Sequence, residues 1–182
     1  MPFFTNGMKI TIFGLAGTGT STVGKTLAER LGYKFLSAGD IFRKKASELG
    51  LTLAEVHNLA VDDPSIDKEC DTEIKKFGEH NDNLVVESRL AWHFIPDSVK
   101  IKLHTDFDTR VSRVAERDWL LFKLAKQHIT DREQADATRY AKFYGLHDIE
   151  KDDHFDLVID ASTLTPPQIV DQISAFIKSR EG

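Results

Sequence analysis

Cysteine is almost missing from this chain: Cys70 is the only one in 182 residues. One thiol cannot build an internal disulfide framework or a cysteine-rich zinc site, and its scarcity suits a reducing compartment. No run of 18 apolar residues exists, and the N-terminus lacks the charged, apolar, cleavable pattern of an export signal. A cytoplasmic protein with no membrane segment is therefore expected. Positive charge is also short, with 24 Lys and Arg against 29 Asp and Glu and a net charge of -5. That balance argues against a nucleic acid or an anionic membrane as the main partner. Low-complexity runs, linkers and internal repeats are absent too, so residues 1–182 are expected to form one domain with a full core. Residues 1–7 read as an extension, with the ordered part beginning at Met8.

One further absence is local. The β-branched run Lys9-Ile10-Thr11-Ile12-Phe13 leads into Gly14-Leu15-Ala16-Gly17-Thr18-Gly19-Thr20-Ser21-Thr22 and then into a helical pattern. This is the layout of a phosphate-binding loop, G-x-x-x-x-G-K-[ST], in which backbone N–H groups cradle phosphates, the lysine reaches the outer phosphates and the hydroxyl holds Mg²⁺. Thr20 stands in the lysine position, and Ser21 takes the hydroxyl position. A literal match five residues later, ending at Gly24-Lys25-Thr26, would need a strand through FGLAGT and leave almost no helix before Gly32. In the first register Lys25 lies roughly 140° around the helix from Thr20 and about 7.5 Å along it, facing away from the phosphates.

Short apolar runs alternate with helical patterns along the rest of the chain, which predicts an α/β fold: a five-stranded parallel sheet covered by helices on both faces. Strands are expected at Lys9–Phe13, Lys34–Ser37, Leu84–Glu87, Ile101–His104 and Leu157–Asp160. Helices are expected at Thr20–Leu31, Ala38–Leu49, Leu53–Ala60, Ser65–Phe77, Phe107–Arg117, Arg132–Tyr144 and Pro167–Lys178. Ligands in such sheets bind beyond the carboxyl ends of the strands, which selects Gly14–Thr22, Gly39–Arg43, Glu87–Arg89 and the stretch from Thr105 onward.

Of nine arginines, only Arg30 and Arg180 fall outside segments that could border such a cleft. Arg43 and Arg89 follow strand ends. Arg110, Arg113 and Arg117 share one helix face, as do Arg132, Asp136 and Arg139. Arginine's planar fork binds two phosphate oxygens and keeps its charge, which is what phosphoryl transfer between nucleotides demands. Arg110 is set apart as a surface residue pairing with acids. Trp92, Trp119 and Phe122 are expected in core or lid-hinge packing, and His147 and His154 have no spacing that supports a transition-metal site.

At these residues the chain resembles the P-loop nucleoside monophosphate kinases, specifically the archaeal-type cytidylate (CMP) kinases. The likeness runs from Met8 to the end through SAGDIFR (37–43), DDPSIDKE (62–69), VVESRLA (85–91), SRVAERD (112–118), the Arg132-x-x-x-Asp136-x-x-Arg139 segment with FYG (143–145), and FDLVIDAS (155–162). The resemblance implies a helical lid over about 113–140, a monophosphate-binding part over about 38–80, and transfer of the γ-phosphoryl group from ATP to CMP, with dCMP also accepted. It implies Mg²⁺ on Ser21 with Glu87 behind it, the monophosphate on Arg43 with Ser37, Gly39 and Asp40 in the same segment, and the base or phosphate on Arg89. Asp67 and Asp136 are candidates for sugar or base contacts, and Arg113, Arg117, Arg132 and Arg139 for catalytic lid contacts. Arg113 or Arg117 is expected to supply the charge that Thr20 lacks. A helix cap alone would also explain Ser21. A monomer binding only small nucleotides is expected. The competing readings are a kinase for another monophosphate or a small alcohol, and a nucleotide-binding regulator disabled by Thr20.

Overall fold

The structure, a computed structural model, describes residues 7–180; the expected extension at 1–7 lies, apart from Gly7, outside them. Five parallel strands form one sheet: β1 (Lys9–Phe13), β2 (Lys34–Ser37), β3 (Leu84–Glu87), β4 (Val99–His104) and β5 (Leu157–Asp160), in the order β2-β3-β1-β4-β5. The helices are α1 (Thr20–Leu31), α2 (Ala38–Leu49), α3 (Leu53–Asp62), α4 (Pro64–His80), α5 (Ala91–Phe94), α6 (Phe107–Asp118), α7 (Phe122–Tyr144) and α8 (Pro166–Ser179). None of them is long and apolar enough to cross a membrane.

Alternation along the strands separates two core layers. Ile10 and Ile12 of β1, Val85 of β3 and Ile101 and Leu103 of β4 pack with Val23 and Leu27 of α1 and Ile169, Val170, Ile173 and Ile177 of α8. On the other face, Leu84 and Val86 meet Phe42, Ala46, Val56 and Ile74 from α2, α3 and α4. Burying both sheet faces is what lets short, nearly continuous apolar strands pair in parallel. From β1 the chain turns toward β2, and from β3 it crosses back over β1 to β4. The crevice of such a sheet opens where these directions diverge, above the carboxyl ends of β1 and β3.

Two expectations about the helices need correction. Helix α7 begins at Phe122, not Arg132, because Ala125 and Ile129 pack on Val111 and Val114 of α6 and give this helix pair its own small core. The packing residues are few and spread along a long helix, so local periodicity is faint there. Trp119 and Phe122 are not packed: Trp119 is 94 % exposed and adopts a left-handed φ of 55° where α6 ends, and Phe122 is 45 % exposed. Trp92 is buried as expected and stacks on His154 at 4.4 Å.

The α6–α7 core also receives Ala16 of the β1–α1 loop. Beside it Gly17 has φ +83°, and a Cβ there would come within 2.5 Å of the Arg110 carbonyl oxygen. Left-handed strain of about 1–2 kcal/mol would add to that backbone clash. Gly17→Ala is expected to lower the melting temperature by about 5 °C or more, read by circular dichroism.

Candidate active site

The β1–α1 loop is closed by a bond from Thr18 N–H to Leu15 O at 3.1 Å, and α1 starts after Gly19 with no side-chain cap and no acid in its first turn. A helix start left this way presents unsatisfied N–H groups and the positive end of the helix dipole, a ready site for an anion. Gly14, Leu15, Ala16, Gly17, Gly19, Thr20, Ser21 and Thr22 line a cleft of about 450 Å³. Thr18 is buried behind that wall, and Lys25 is exposed on the helix, away from it.

The Thr20 side chain turns to the sheet. Its hydroxyl donates to Glu87 Oε1 at 3.0 Å, and its methyl group fills the space above Gly14, where a Cβ would lie 2.3 Å away. Ser21 Oγ and Ser37 Oγ donate to Glu87 Oε2 at 3.0 and 2.7 Å. Glu87 ends β3, in register with Ile12 of β1 on one side and Ser37 of β2 on the other. Two hydroxyls from the start of α1 and one from the end of β2 thus hold the carboxylate at the end of β3, under the loop. Two oxygen donors, Ser21 Oγ and Glu87, meet at the helix start, a hard donor pair of the kind Mg²⁺ takes alongside phosphate and water.

Six of the predicted arginines line the same cleft, but in different states. Arg43 reaches Asp40 at 2.5 Å and both are exposed. Arg89 pairs with Asp136, which also receives Arg139 Nη2 at 2.7 Å. Arg139 Nε lies 2.9 Å from Asp67 Oδ2, in charge contact without hydrogen-bond alignment. Burial raises the Asp67 carboxyl against the opposing pull of Arg139. Arg113 donates to the carbonyls of Thr18, Ala161 and Ser162 at 3.1–3.3 Å. Arg117 forms two 2.7 Å bonds to Asp118, with its side chain 67 % exposed. Arg132 alone among them has neither ion pair nor hydrogen bond among the described residues, and its Nε is buried. Burial, followed by the charge of Arg89, presses its pKa down to about 10.

Arg110 is not a surface residue. It is 5 % exposed, donates to Ala16 O at 3.1 Å and pairs with Glu133 at 2.5 Å, fixing the loop from behind. Its place in one row with Arg113 and Arg117 was the available signal. Sequence reasoning also missed Asp71, Tyr140, Tyr144, His57 and Phe42, all lining the cleft. Asp71 lies one turn beyond Asp67 on the same face of α4, so spacing alone could have found it. His57 stacks on Phe42 at 4.7 Å, and burial together with Arg132, Arg139 and Arg89 pushes its pKa to about 3.

Comparison with known proteins gives the family and the fold. Residues 9–163 match the cytidylate kinase-like family. The chain is 40 % identical over 170 residues to the cytidylate kinase of Methanococcoides burtonii, covering 93 % of this chain and 97 % of that one. It is 38 % identical over 175 residues to the cytidylate kinase of Archaeoglobus fulgidus, covering 96 % and 97 %. Among solved structures, shikimate kinase from Acinetobacter baumannii superposes with a TM-score of 0.62 at 16 % identity, over 95 % of this chain and 94 % of that one. At that identity the likeness concerns the fold, a P-loop kinase fold. By the family match and these relatives, the chain belongs to the cytidylate kinase-like family.

Proposed function

We propose that this protein transfers the γ-phosphoryl group of ATP to CMP, and also to dCMP, with Mg²⁺ assisting. The observation that carries the reading is that an uncapped helix start and the Arg132 guanidinium, its Nε buried and without an ion pair among the described residues, border one cleft, two anion-seeking groups with space between them. The family's cytidylate kinases supply the identity of the acceptor.

In this mechanism the N–H groups of Gly14–Thr20 hold the donor's β-phosphate. Arg43 and Arg89 hold the acceptor's phosphate, Arg132 meets the oxygens between the two substrates, and Arg113, Arg117 and Arg139 border the same cleft. Little covalent work is left to the protein, because phosphoryl transfer is driven by positioning and by charge placed where the transferring oxygens develop it. Ser21 and Glu87 would hold Mg²⁺, which when bound neutralises charge on the donor phosphates. We further propose a cytoplasmic monomer acting on free nucleotides, a reading supported by the net charge of -5 and the single, buried cysteine.

A coupled assay of ATP against CMP, dCMP, UMP, AMP and small alcohols tests the proposal. CMP is expected to give the highest kcat/KM. ATP binding without transfer to any acceptor would instead make the protein a regulator, and preference for another acceptor would reassign the substrate. Thr20→Lys is expected to lower kcat severalfold in the same assay. The lysine would lose the bond to Glu87 and the packing on Gly14, and its ammonium would sit beside the Glu87 carboxylate.

A further inference from the structure

The cleft can be followed contact by contact away from the phosphate loop. Ser21 touches Glu87; farther on, Arg89 meets Asp136, Asp136 meets Arg139, and Arg139 meets Asp67. One helical turn past Asp67 stands Asp71, which accepts a hydrogen bond from the Tyr144 hydroxyl. The acids along this path differ in their partners. Asp67 and Asp136 each face a guanidinium, whereas Asp71 has no ion pair among the described residues and only a neutral hydroxyl as donor. Lys75 and Arg139 act on it only from a distance, without an ion pair. A carboxylate lining a cleft with no cation in contact is poorly placed for a phosphate and well placed for a neutral N–H group.

Its surroundings suit a flat ring. Phe42, His57 and Tyr140 line the same cleft, and the His57 imidazole is neutral at physiological pH, so it brings no charge to compete for Asp71. Burial and the Asp67 carboxylate push the Asp71 carboxyl up to about 7, so an N–H donor brought to it favours its ionised form. That ionised form accepts hydrogen bonds and gives none. The amine on C4 of cytosine supplies a donor where uracil has an acceptor oxygen, so the same carboxylate attracts one base and repels the other.

We infer that Asp71, steadied by the Tyr144 hydroxyl, reads the exocyclic amine of the acceptor's cytosine ring and sets the preference for CMP over UMP. The inference rests on the kinase reading proposed above. Asp71→Asn is close to isosteric and still accepts from Tyr144, but its amide can turn either an oxygen or an NH₂ toward the base. The ratio of kcat/KM for CMP to that for UMP is expected to collapse by about tenfold or more, chiefly through a gain with UMP. Tyr144→Phe, the second variant, is expected to raise the KM for CMP severalfold with kcat held. Circular dichroism confirms that both variants fold. An unchanged ratio in Asp71→Asn, or equal losses with both substrates, would overturn the assignment, as would a native enzyme that uses UMP as well as CMP. A native enzyme inactive with both pyrimidine substrates would instead refute the kinase reading.

Discussion

Arg132→Ala is expected to lower kcat with ATP and CMP by about a hundredfold while changing the KM for CMP much less. The reasoning starts from the missing lysine. Thr20 faces Glu87, and the two arginines expected from the sequence to compensate are engaged elsewhere: Arg113 holds three backbone carbonyls and Arg117 holds Asp118. Arg132 is half-buried at the cleft wall with its Nε fully shielded and no ion pair among the described residues, Glu87 acting on it only from a distance, and its pKa, pressed to about 10, leaves it charged at neutral pH. A cation kept in a poorly solvated place without a counterion is a group prepared for negative charge that arrives with the substrates. Loss of such a transition-state contact costs about 3 kcal/mol, close to a hundredfold in rate. Steady-state kinetics check the split between kcat and KM.

The same burial has a stability consequence of the opposite sign. The folded-state pKa of Arg132 lies well below the ordinary arginine value, so holding the guanidinium charged opposes folding at neutral pH, and the opposition fades as pH rises past about 10. Arg132→Met removes the charge and keeps much of the volume. It is expected to melt at a higher temperature than the native protein without nucleotide, and to be stabilised less when ATP and CMP are added. Scanning calorimetry with and without nucleotides reads both effects. A residue that merely packs would lower the first value and leave the second unchanged.

Asp136→Ala carries the second large effect, on folding itself. Asp136 is 3 % exposed and serves two guanidinium groups, Arg89 from the end of β3 and Arg139 one turn along α7. Removing the carboxylate leaves Arg89 without its counterion and Arg139 with Asp67 alone. Breaking a buried pair by deleting one partner costs about 3–5 kcal/mol, because a charge stays behind in a poorly solvated place. Urea unfolding at neutral pH is expected to show a loss of that size, accompanied by loss of CMP phosphorylation. Replacing Asp67 should cost less, since Arg139 keeps Asp136. A deficit in Asp67→Ala equal to that in Asp136→Ala would show that Asp136 is not the centre of this network.

Much of this architecture was legible in the chain. The positions of four of the five strands, the bounds of α1 and α2, and the register of the phosphate loop follow from local patterns: alternation of apolar residues, glycines beside a strand end, and periodic faces of helices. Residues that line the cleft could also be named, because strand ends in a parallel sheet converge on one edge. The start of α7 was not legible, since its first turns are held by contacts with α6. Nor was the fate of Trp119, exposed where an aromatic side chain ordinarily finds cover.

The sequence by itself therefore determined where the phosphate-loop pattern lies and that arginine crowds the place, since both depend on residues close together in the chain. Only the tertiary structure decided which arginine is free. Arg89 finds Asp136, Arg139 finds Asp67, and Arg110 finds Ala16 and Glu133 across long stretches of chain, and only folding brings such charges into contact. Arg110 thereby moved from the surface to the back of the loop, and Arg132 was left as the half-buried cation with no ion pair among the described residues. Pairing and desolvation determine what a charge can do, and both depend on distances that the order of residues does not contain.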